Sequence, residues 1–454
     1  MLNGYDEYRP TPEAIWYDQV PTKWNSTKMR TMFSERVTKV SDKEYPALSV
    51  GKMGVVPQLE TAVKTDNGDN RKLICEGDFA INSRSDRKGS SGISDYTGSA
   101  SLIITVLQPF EELNRRYYHY LLRSNGFVEE FYRNGHGLVS DLWTTKWQEM
   151  KNIFIPVPPR AEQDQIVRYL DWKVSEMNHF VHKKKKQIKK LEELKIAKID
   201  ELITKGENPS VVMKPSDVEW LGDIPAHWDV DHIKQHFTVK KRIAGKEGYD
   251  VLSITQHGLK VKDISSNEGQ MAMDYSGYQF VYPGDFAMNH MDLITGYVDL
   301  SDKFGVTSPD YRVFSLDDTE HCYAPFYLRV FQIGYKRRIF YKFGKGAANQ
   351  GRWRLPKTAF YDYSIQVPPI EEQMEIEKAC LKLEKDIDSM IDGIRKEIKL
   401  VEELRVKTIA DVVTGQVDVR NVIIPEYTTD DGTDDDFDSN DIDDDSDESD
   451  VDEE

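Results

Sequence analysis

At 454 residues the chain has room for two to four domains. With 39% hydrophobic and 11% aromatic residues it can build real cores, which excludes general disorder. The formal net charge of −18 is a property of one end: 16 carboxylates and no base fall between Asp430 and Glu454, and residues 1–429 carry only −2. No apolar run of about 18 residues predicts a membrane span, and the N-terminus lacks the basic and apolar regions of a signal peptide. Cys75, Cys322 and Cys380 stand far apart without C-x-x-C spacing, so neither a disulfide framework nor a zinc ribbon can be drawn. A reducing, cytoplasmic setting fits best.

Residues 1–158 read as short strands, such as Ser101 to Leu107, divided by Gly, Asn, Asp and Pro clusters, with a helix over Arg115–Arg123. The pair Pro158-Pro159 closes this stretch, because proline disfavours helix before it and tolerates a helix start after it. A long helix over 159–206 follows. Its apolar residues Ile166, Leu170, Val174, Met177, Val181, Ile188, Leu191 and Leu202 step mainly by three and four, which marks a narrow seam. Residues 207–368 return to strands, for example Phe280-Val281-Tyr282. A second long helix over 369–416 carries Ile376, Cys380, Leu383, Ile387, Met390, Ile394, Ile398, Val401 and Leu404 at the same spacing. Neither seam can be left in water, and two helices of similar length in one chain predict mutual pairing. Residues 417–454 are a linker and the acidic tail. The tail repels itself and has little to bury, which predicts disorder, serving solubility or acting as a polyanion that competes for a basic groove. An EF-hand is not expected there, since Ser439 and Asp445 stand where that loop needs Gly and Glu.

The two halves repeat. Trp220-Leu221-Gly222-Asp223-Ile224-Pro225-Ala226-His227-Trp228 has a degraded partner in Trp16 to Trp24, with both tryptophans and the proline in register. Gly77-Asp78-Phe79-Ala80-Ile81-Asn82 recurs as Gly284-Asp285-Phe286-Ala287-Met288-Asn289. Ser94-Asp95, Gly98 and Ser101 recur as Ser301-Asp302, Gly305 and Ser308, and Trp143 matches Trp353. Val157-Pro158-Pro159 with Glu162-Gln163 and Ile166 recurs as Val367-Pro368-Pro369 with Glu372-Gln373 and Ile376. Glu192-Glu193-Leu194 recurs as Glu402-Glu403-Leu404. The same order throughout marks a tandem duplication, and its period of just over 200 residues makes each copy a whole domain plus a connector, too long for a solenoid repeat.

Catalytic motifs are missing: there is no G-x-G-x-x-G, Walker A, H-E-x-x-H or G-x-S-x-G. His232 and His236 are one helical turn apart with His227 nearby, but no fourth ligand is evident, so no metal site is expected. Nucleic-acid features are better represented. Lys183 and Lys184 head a lysine cluster that suits phosphates, or a solvated helix face. Asn82, Arg84, Arg87 and Lys88 lie in one donor-rich loop, whose counterpart around Asn289 is far less basic. Lys345, Asn349, Gln350 and Arg352 form a Gly-rich loop with the residue types that bond base edges. The first copy offers Arg133, Asn134, His136 and Ser140 at the equivalent place.

These motifs resemble the specificity subunits of type I restriction–modification systems. The likeness rests on the Trp-Leu-Gly-Asp-Ile-Pro-Ala-His-Trp stretch, the Val-Pro-Pro-x-x-Glu-Gln-x-x-Ile helix start and the Gly-Asp-Phe-Ala-x-Asn segment, and it runs to about Val419. The acidic tail has no counterpart in that pattern. The resemblance implies an α+β chain with target recognition domains at 1–158 and 207–368. Each is followed by a long helix, 159–206 or 369–416, and the two pair as an antiparallel coiled coil along Ile166, Leu170, Met177, Ile188, Leu191, Ile376, Leu383, Ile387, Ile394 and Leu404. It further implies a non-catalytic reader of a bipartite, asymmetric site in double-stranded DNA. Its partners would be two methyltransferase subunits and restriction subunits, which use S-adenosylmethionine, ATP and Mg, while this chain binds no cofactor. A coiled-coil scaffold without a DNA role explains the helices but leaves two divergent globular repeats without a purpose.

Overall fold

The computed structural model describes residues 3–59, 68–110, 113–137, 143–256, 258–263, 274–346 and 353–427. No helix among them is long and apolar enough to cross a membrane. The acidic tail, for which disorder is expected, lies outside the described residues. The chain divides into two units, residues 1–184 with 396–454, and residues 185–395. Both divisions fall inside a long helix. Arg160–Lys205 has 46 residues and Ile370–Val413 has 44, so each unit holds a segment of both.

The first unit is built on a four-stranded antiparallel sheet in the order Ser91–Ile93, Phe79–Asn82, Ile104–Pro109, Phe33–Glu35. Alternation along Phe79–Asn82 sends Phe79 and Ile81 into one core and Ala80 into another. The first core adds Tyr117, Leu121, Phe127 and Phe131 from helices Arg115–Leu122 and Asn125–Arg133. The second adds Leu48, Val55 and Ile74. Ser101 to Ile103, expected to open a strand, form a turn instead: the Ile104 amide donates to the Ser101 carbonyl at 3.0 Å.

The second unit repeats this sheet in the order Phe237–Lys240, Arg312–Leu316, Asp285–Met288, Val298–Leu300. Register is kept: Phe286 faces Phe314 as Phe79 faces Leu107. Phe286 and Met288 enter one core, Ala287 and Val313 the other. Here Phe286 stacks on Phe314 at 5.0 Å, with Phe237 and Phe331 edge-on.

The repeated motifs turn out to be joints. Asp78 accepts from the Cys75 amide and binds Arg36 at 2.6 Å; Asp285 accepts from the Tyr282 amide and binds Arg242 at 2.9 Å. A Cβ on Gly98 would reach 2.5 Å from the Pro46 carbonyl, and one on Gly305 2.6 Å from that of Asp250, so a side chain cannot enter either place. At each helix start a buried glutamine satisfies backbone groups that the prolines leave open. Gln163 donates to the Pro158 carbonyl (2.9 Å) and accepts from the Asn114 amide (3.1 Å). Gln373 donates to the Pro368 and His321 carbonyls (both 2.7 Å) and accepts from the Tyr323 amide (2.8 Å). Glu372 collects Trp228 Nε1 (2.9 Å) and His227 Nε2 (2.8 Å), whereas Glu162 is met by the Tyr5 hydroxyl. Tyr5 also packs edge-on against Trp24, which accounts for the loss of the histidine, Lys23 standing where the second copy has His227: a different residue serves the carboxylate.

Most seam residues of the helices are buried or half-buried, but Leu404 is 51% exposed and Met390 56% exposed. Along the second helix the inward residues run Ile376, Cys380, Leu383, Ile387, Ile391, Ile394, Ile398, Val401, Arg405. A step of four from Ile387 brings Ile391 inward in place of Met390, Ile394, Ile398 and Val401 stay inside as expected, and a step of four from Val401 brings Arg405 inward in place of Leu404. In the first unit Arg405 donates to Asn178 Oδ1 (2.7 Å) and Lys184 meets Glu397 (2.6 Å); in the second, Lys195 meets Asp388 (2.6 Å).

Candidate nucleic-acid interface

In the first unit the two loops singled out in the sequence meet at one end of the sheet. The strand ending at Asn82 runs into a loop whose Asn82 Oδ1 accepts from the Arg84 amide at 3.1 Å, an Asx turn that reverses the chain. Arg84 pairs as a bridge with Thr144, and His136 pairs with Thr144 in turn. The Thr145 amide donates to the Ser83 carbonyl at 2.9 Å, and the Tyr132 hydroxyl to the Arg84 carbonyl at 2.9 Å. Trp143 Nε1 donates to the Tyr132 carbonyl (2.8 Å) and locks the loop base. Any Cβ at Gly135 would run into that indole. Lys88 lies over the Tyr132 ring and pairs with Glu129 at 2.6 Å.

The second unit repeats the joint with other side chains. Lys345 pairs with Arg354, the Leu355 amide donates to the His290 carbonyl (2.9 Å), and Trp353 Nε1 donates to the Tyr341 carbonyl (2.7 Å). Asn289 Oδ1 accepts from the Met291 amide, and its carbonyl accepts from the Tyr335 hydroxyl. Burial, with Arg312 and Arg354 nearby, pushes the His290 imidazole down to about 3. The loop base therefore holds a neutral ring where the first unit has Ser83. Arg312, pushed down to about 10 by burial, donates to the Leu355 carbonyl and lies over Phe360.

No family model matches the chain. It is 23% identical over 408 residues to a putative type I restriction enzyme MjaX specificity subunit of Methanocaldococcus jannaschii, covering 85% of this chain and 87% of that one. To the type I restriction enzyme MjaVIII specificity subunit of the same organism it is 25% identical over 289 residues. That match spans 60% of this chain and 64%, less than two thirds, of the relative's length. The chain is a homologue of type I restriction specificity subunits. A solved structure concerned with complex assembly and conformational transition of the type I R-M system is similar in fold, with a TM-score of 0.60 at 12% identity, over 88% of this chain and all of the other.

Such homology directs attention to the charges the loops leave available. Arg84 and Arg354 are exposed and form no ion pair among the described residues; Lys345 is likewise exposed, and Arg87 has only Asp86 at 3.8 Å. His136 is 63% exposed at the side chain, 3.7 Å from Glu149. Other candidates are already engaged. Arg133 is held in a two-point contact by Glu130 (2.6 and 2.8 Å), and Asn134 donates to that residue's carboxylate and carbonyl. Lys184 is tied to Glu397, while Lys183 is exposed on the first long helix. Ser140, Asn349, Gln350 and Arg352 lie outside the described residues. Arg354 was missed by sequence reasoning, although the spacing that aligns Trp143 with Trp353 sets it against Thr144. The three histidines first weighed as a metal trio are not brought together as one: His227 binds Glu372 and His232 faces Ser364 Oγ at 3.4 Å.

Proposed function

We propose that this chain is the DNA-recognition subunit of a type I restriction–modification complex, reading a bipartite, asymmetric site through two target recognition domains, 1–158 and 207–368. One observation carries the reading. Both units converge a strand-end loop and a Gly-Trp loop on the same joint, yet fill the tips with different residues. The same placement with different donors suits two half-sites of different sequence, where a homodimer would require a palindrome. Within each half-site, phosphate contacts position the loops and base-edge donors select. Arg84, Arg87, His136 and the region around Ser140 belong to the first reader. Asn289, Lys345, Arg354 and the segment with Asn349, Gln350 and Arg352 belong to the second.

The helices 159–206 and 369–416 are proposed to pair as an antiparallel coiled coil that fixes the gap between half-sites. In its favour, partners along the first helix rise as those along the second fall: Asn178 with Arg405, Lys184 with Glu397, Lys195 with Asp388. At 1.5 Å per residue, 44 to 46 residues reach about 66–69 Å, well beyond one turn of B-DNA, about 34–36 Å. The chain performs no catalysis in this reading. Two methyltransferase subunits dock on it with S-adenosylmethionine, restriction subunits add the ATP- and Mg-dependent steps, and the complex works in the cytoplasm. A described body of near-neutral charge is a weak isolated DNA binder, so tight binding is expected only with the methyltransferase subunits present. The test is methylation-sensitive sequencing of DNA exposed to the reconstituted methyltransferase complex. A split, asymmetric modified motif is expected; a continuous palindrome, or modification without sequence preference, would refute the reading.

A further inference from the structure

The second unit contains a group of metal-ligand side chains that DNA reading does not use. His236 ends the short helix Ile233–His236, and Asp318 and Cys322 lie in the loop that leads into helix Ala324–Lys336. His236 Nδ1 is 3.0 Å from Asp318 Oδ2 and 3.4 Å from Cys322 Sγ, and the three ligand atoms all lie within 4.8 Å of one another. The other ring nitrogen, Nε2, is held by Asp231 at 2.9 Å. We propose that His236 Nδ1, Cys322 Sγ and Asp318 form a structural site for a divalent ion of the zinc class, pinning the loop before helix Ala324–Lys336 to the sheet.

Three features converge on that reading. A nitrogen, a thiol sulfur and a carboxylate oxygen are the donor types zinc takes. With metal–ligand distances of about 2.0–2.3 Å, tetrahedral neighbours stand roughly 3.3–3.8 Å apart; the observed pairs stand at 3.0 and 3.4 Å, with the third within 4.8 Å. Asp231 on Nε2 is the outer carboxylate that fixes the ring of a metal-bound histidine and aims its free nitrogen. His321, whose side chain is 70% exposed and whose Nδ1 sits 2.9 Å from Asp318 Oδ1, is placed to swing in as the fourth ligand.

The first unit supplies an internal control. Met32 stands where His236 does, immediately before the strand that opens the sheet, and each gives its carbonyl to the returning loop, to Phe110 and Asp317 respectively. Leu113 stands where Cys322 does, one residue before the amide that the helix-start glutamine accepts. The fold thus closes this corner with a methionine and a leucine, and the polar group in the second unit is an addition the fold does not require. Burial, reinforced by the Asp318 and Asp231 carboxylates, holds the Cys322 thiol up, at about 11. Ion binding would release that thiol proton to solvent, as thiolate coordination requires.

The experiment uses the full chain, stripped with chelator and titrated with Co(II) and then zinc. A thiolate-to-cobalt charge-transfer band is expected, lost in Cys322→Ser and kept in Cys380→Ser. Asp231→Ala should weaken Co(II) affinity roughly 10–100-fold. The double variant His236→Met with Cys322→Leu copies the first unit and should fold without showing the band. Zinc should raise the melting temperature of the parent and leave that of the double variant unchanged. No band in the parent, a band that survives Cys322→Ser, or an equal zinc response in parent and double variant would overturn the site and leave a hydrogen-bonded cluster. None of these outcomes depends on whether the chain reads DNA.

Discussion

The first and second units carry one sheet in one register, with the same Asp–Arg braces and the same tryptophan-locked loop bases. They diverge in what fills the cores and what decorates the loops. Among the described residues Phe79 makes no ring–ring contact, whereas Phe286 sits in a ring cluster with Phe237, Phe314 and Phe331. The first strand-end loop offers Arg84 and Arg87; the second offers Asn289 and a half-buried His290 pushed toward its neutral form. Of the residues that recur between the copies, Asp78 and Asp285, Gln163 and Gln373, and Trp143 and Trp353 satisfy backbone groups. Among the loop residues that differ, Arg84 and Arg87 face solvent. Similarity therefore marks the frame, and on the proposed reading discrimination between half-sites belongs to the unlike loop positions.

The largest effect that can break this comparison is in the cores. Phe286→Ala should cost about 3–5 kcal/mol, as full truncation of a buried ring does. Phe79→Ala should cost less by about 0.5–1.5 kcal/mol, because the aromatic contacts of Phe286 add to its buried area. Chemical denaturation of each variant measures this, and equal costs would mean the ring cluster contributes nothing beyond volume. Next comes the helix-start glutamine. Gln373→Ala leaves the Tyr323 amide and the Pro368 and His321 carbonyls without their partner, and each buried orphan costs about 1–3 kcal/mol. Gln163→Ala strands one fewer, so its destabilisation should be smaller in the same assay.

Acid sharpens the comparison, because each unit holds one histidine in the depressed state. Burial and neighbouring arginines push His119 down to about 3, as they do His290. An unfolded histidine takes up its proton near 6.5, so the native state binds fewer protons than the unfolded chain below that pH. Their contribution is fully present above about pH 6.5 and erodes as pH falls toward the folded value. By pH 5 each should have cost up to roughly 2 kcal/mol. His290→Asn should flatten the decline in the second unit only; a pH-stability profile unmoved by it would show that the ring is not neutral when folded.

Much of this frame can be read directly from the sequence. Proline pairs stop the strands and start the helices, periodic apolar residues give two long helices, and the duplicated Gly-Asp-Phe-Ala and tryptophan motifs align the copies. Two things could not be read. Contacts between residues far apart in sequence, such as His236 with Cys322 86 positions later, leave no local signal. Nor does the state of a charge: Arg84 and Arg133 look equally suited to DNA, but Glu130 already neutralises one of them. On the proposed reading, Arg84→Ala should therefore alter preference at the first half-site by about 1–3 kcal/mol of discrimination, and Arg354→Ala at the second. A uniform loss across all sequences in a binding-site selection would recast either as a phosphate contact.

The smallest expected effect tests the seam. The expected spacing places Met390 and Leu404 inside the stripe, but steps of four from Ile387 to Ile391 and from Val401 to Arg405 leave both outside it, while Ile394, Ile398 and Val401 stay inward. A 3.6-residue helix drifts about 20° per heptad, and such steps are how a seam is kept aligned with a straighter partner. Ile391, 3% exposed, is thereby a core residue and Leu404 a surface one. Leu404→Glu should change stability by no more than about 0.5 kcal/mol, as for an ordinary surface position. Ile391→Ala should cost about 2–5 kcal/mol. If the two were reversed, the uninterrupted heptad would be the true seam, and Arg405 could not reach Asn178 from the position that register would give it.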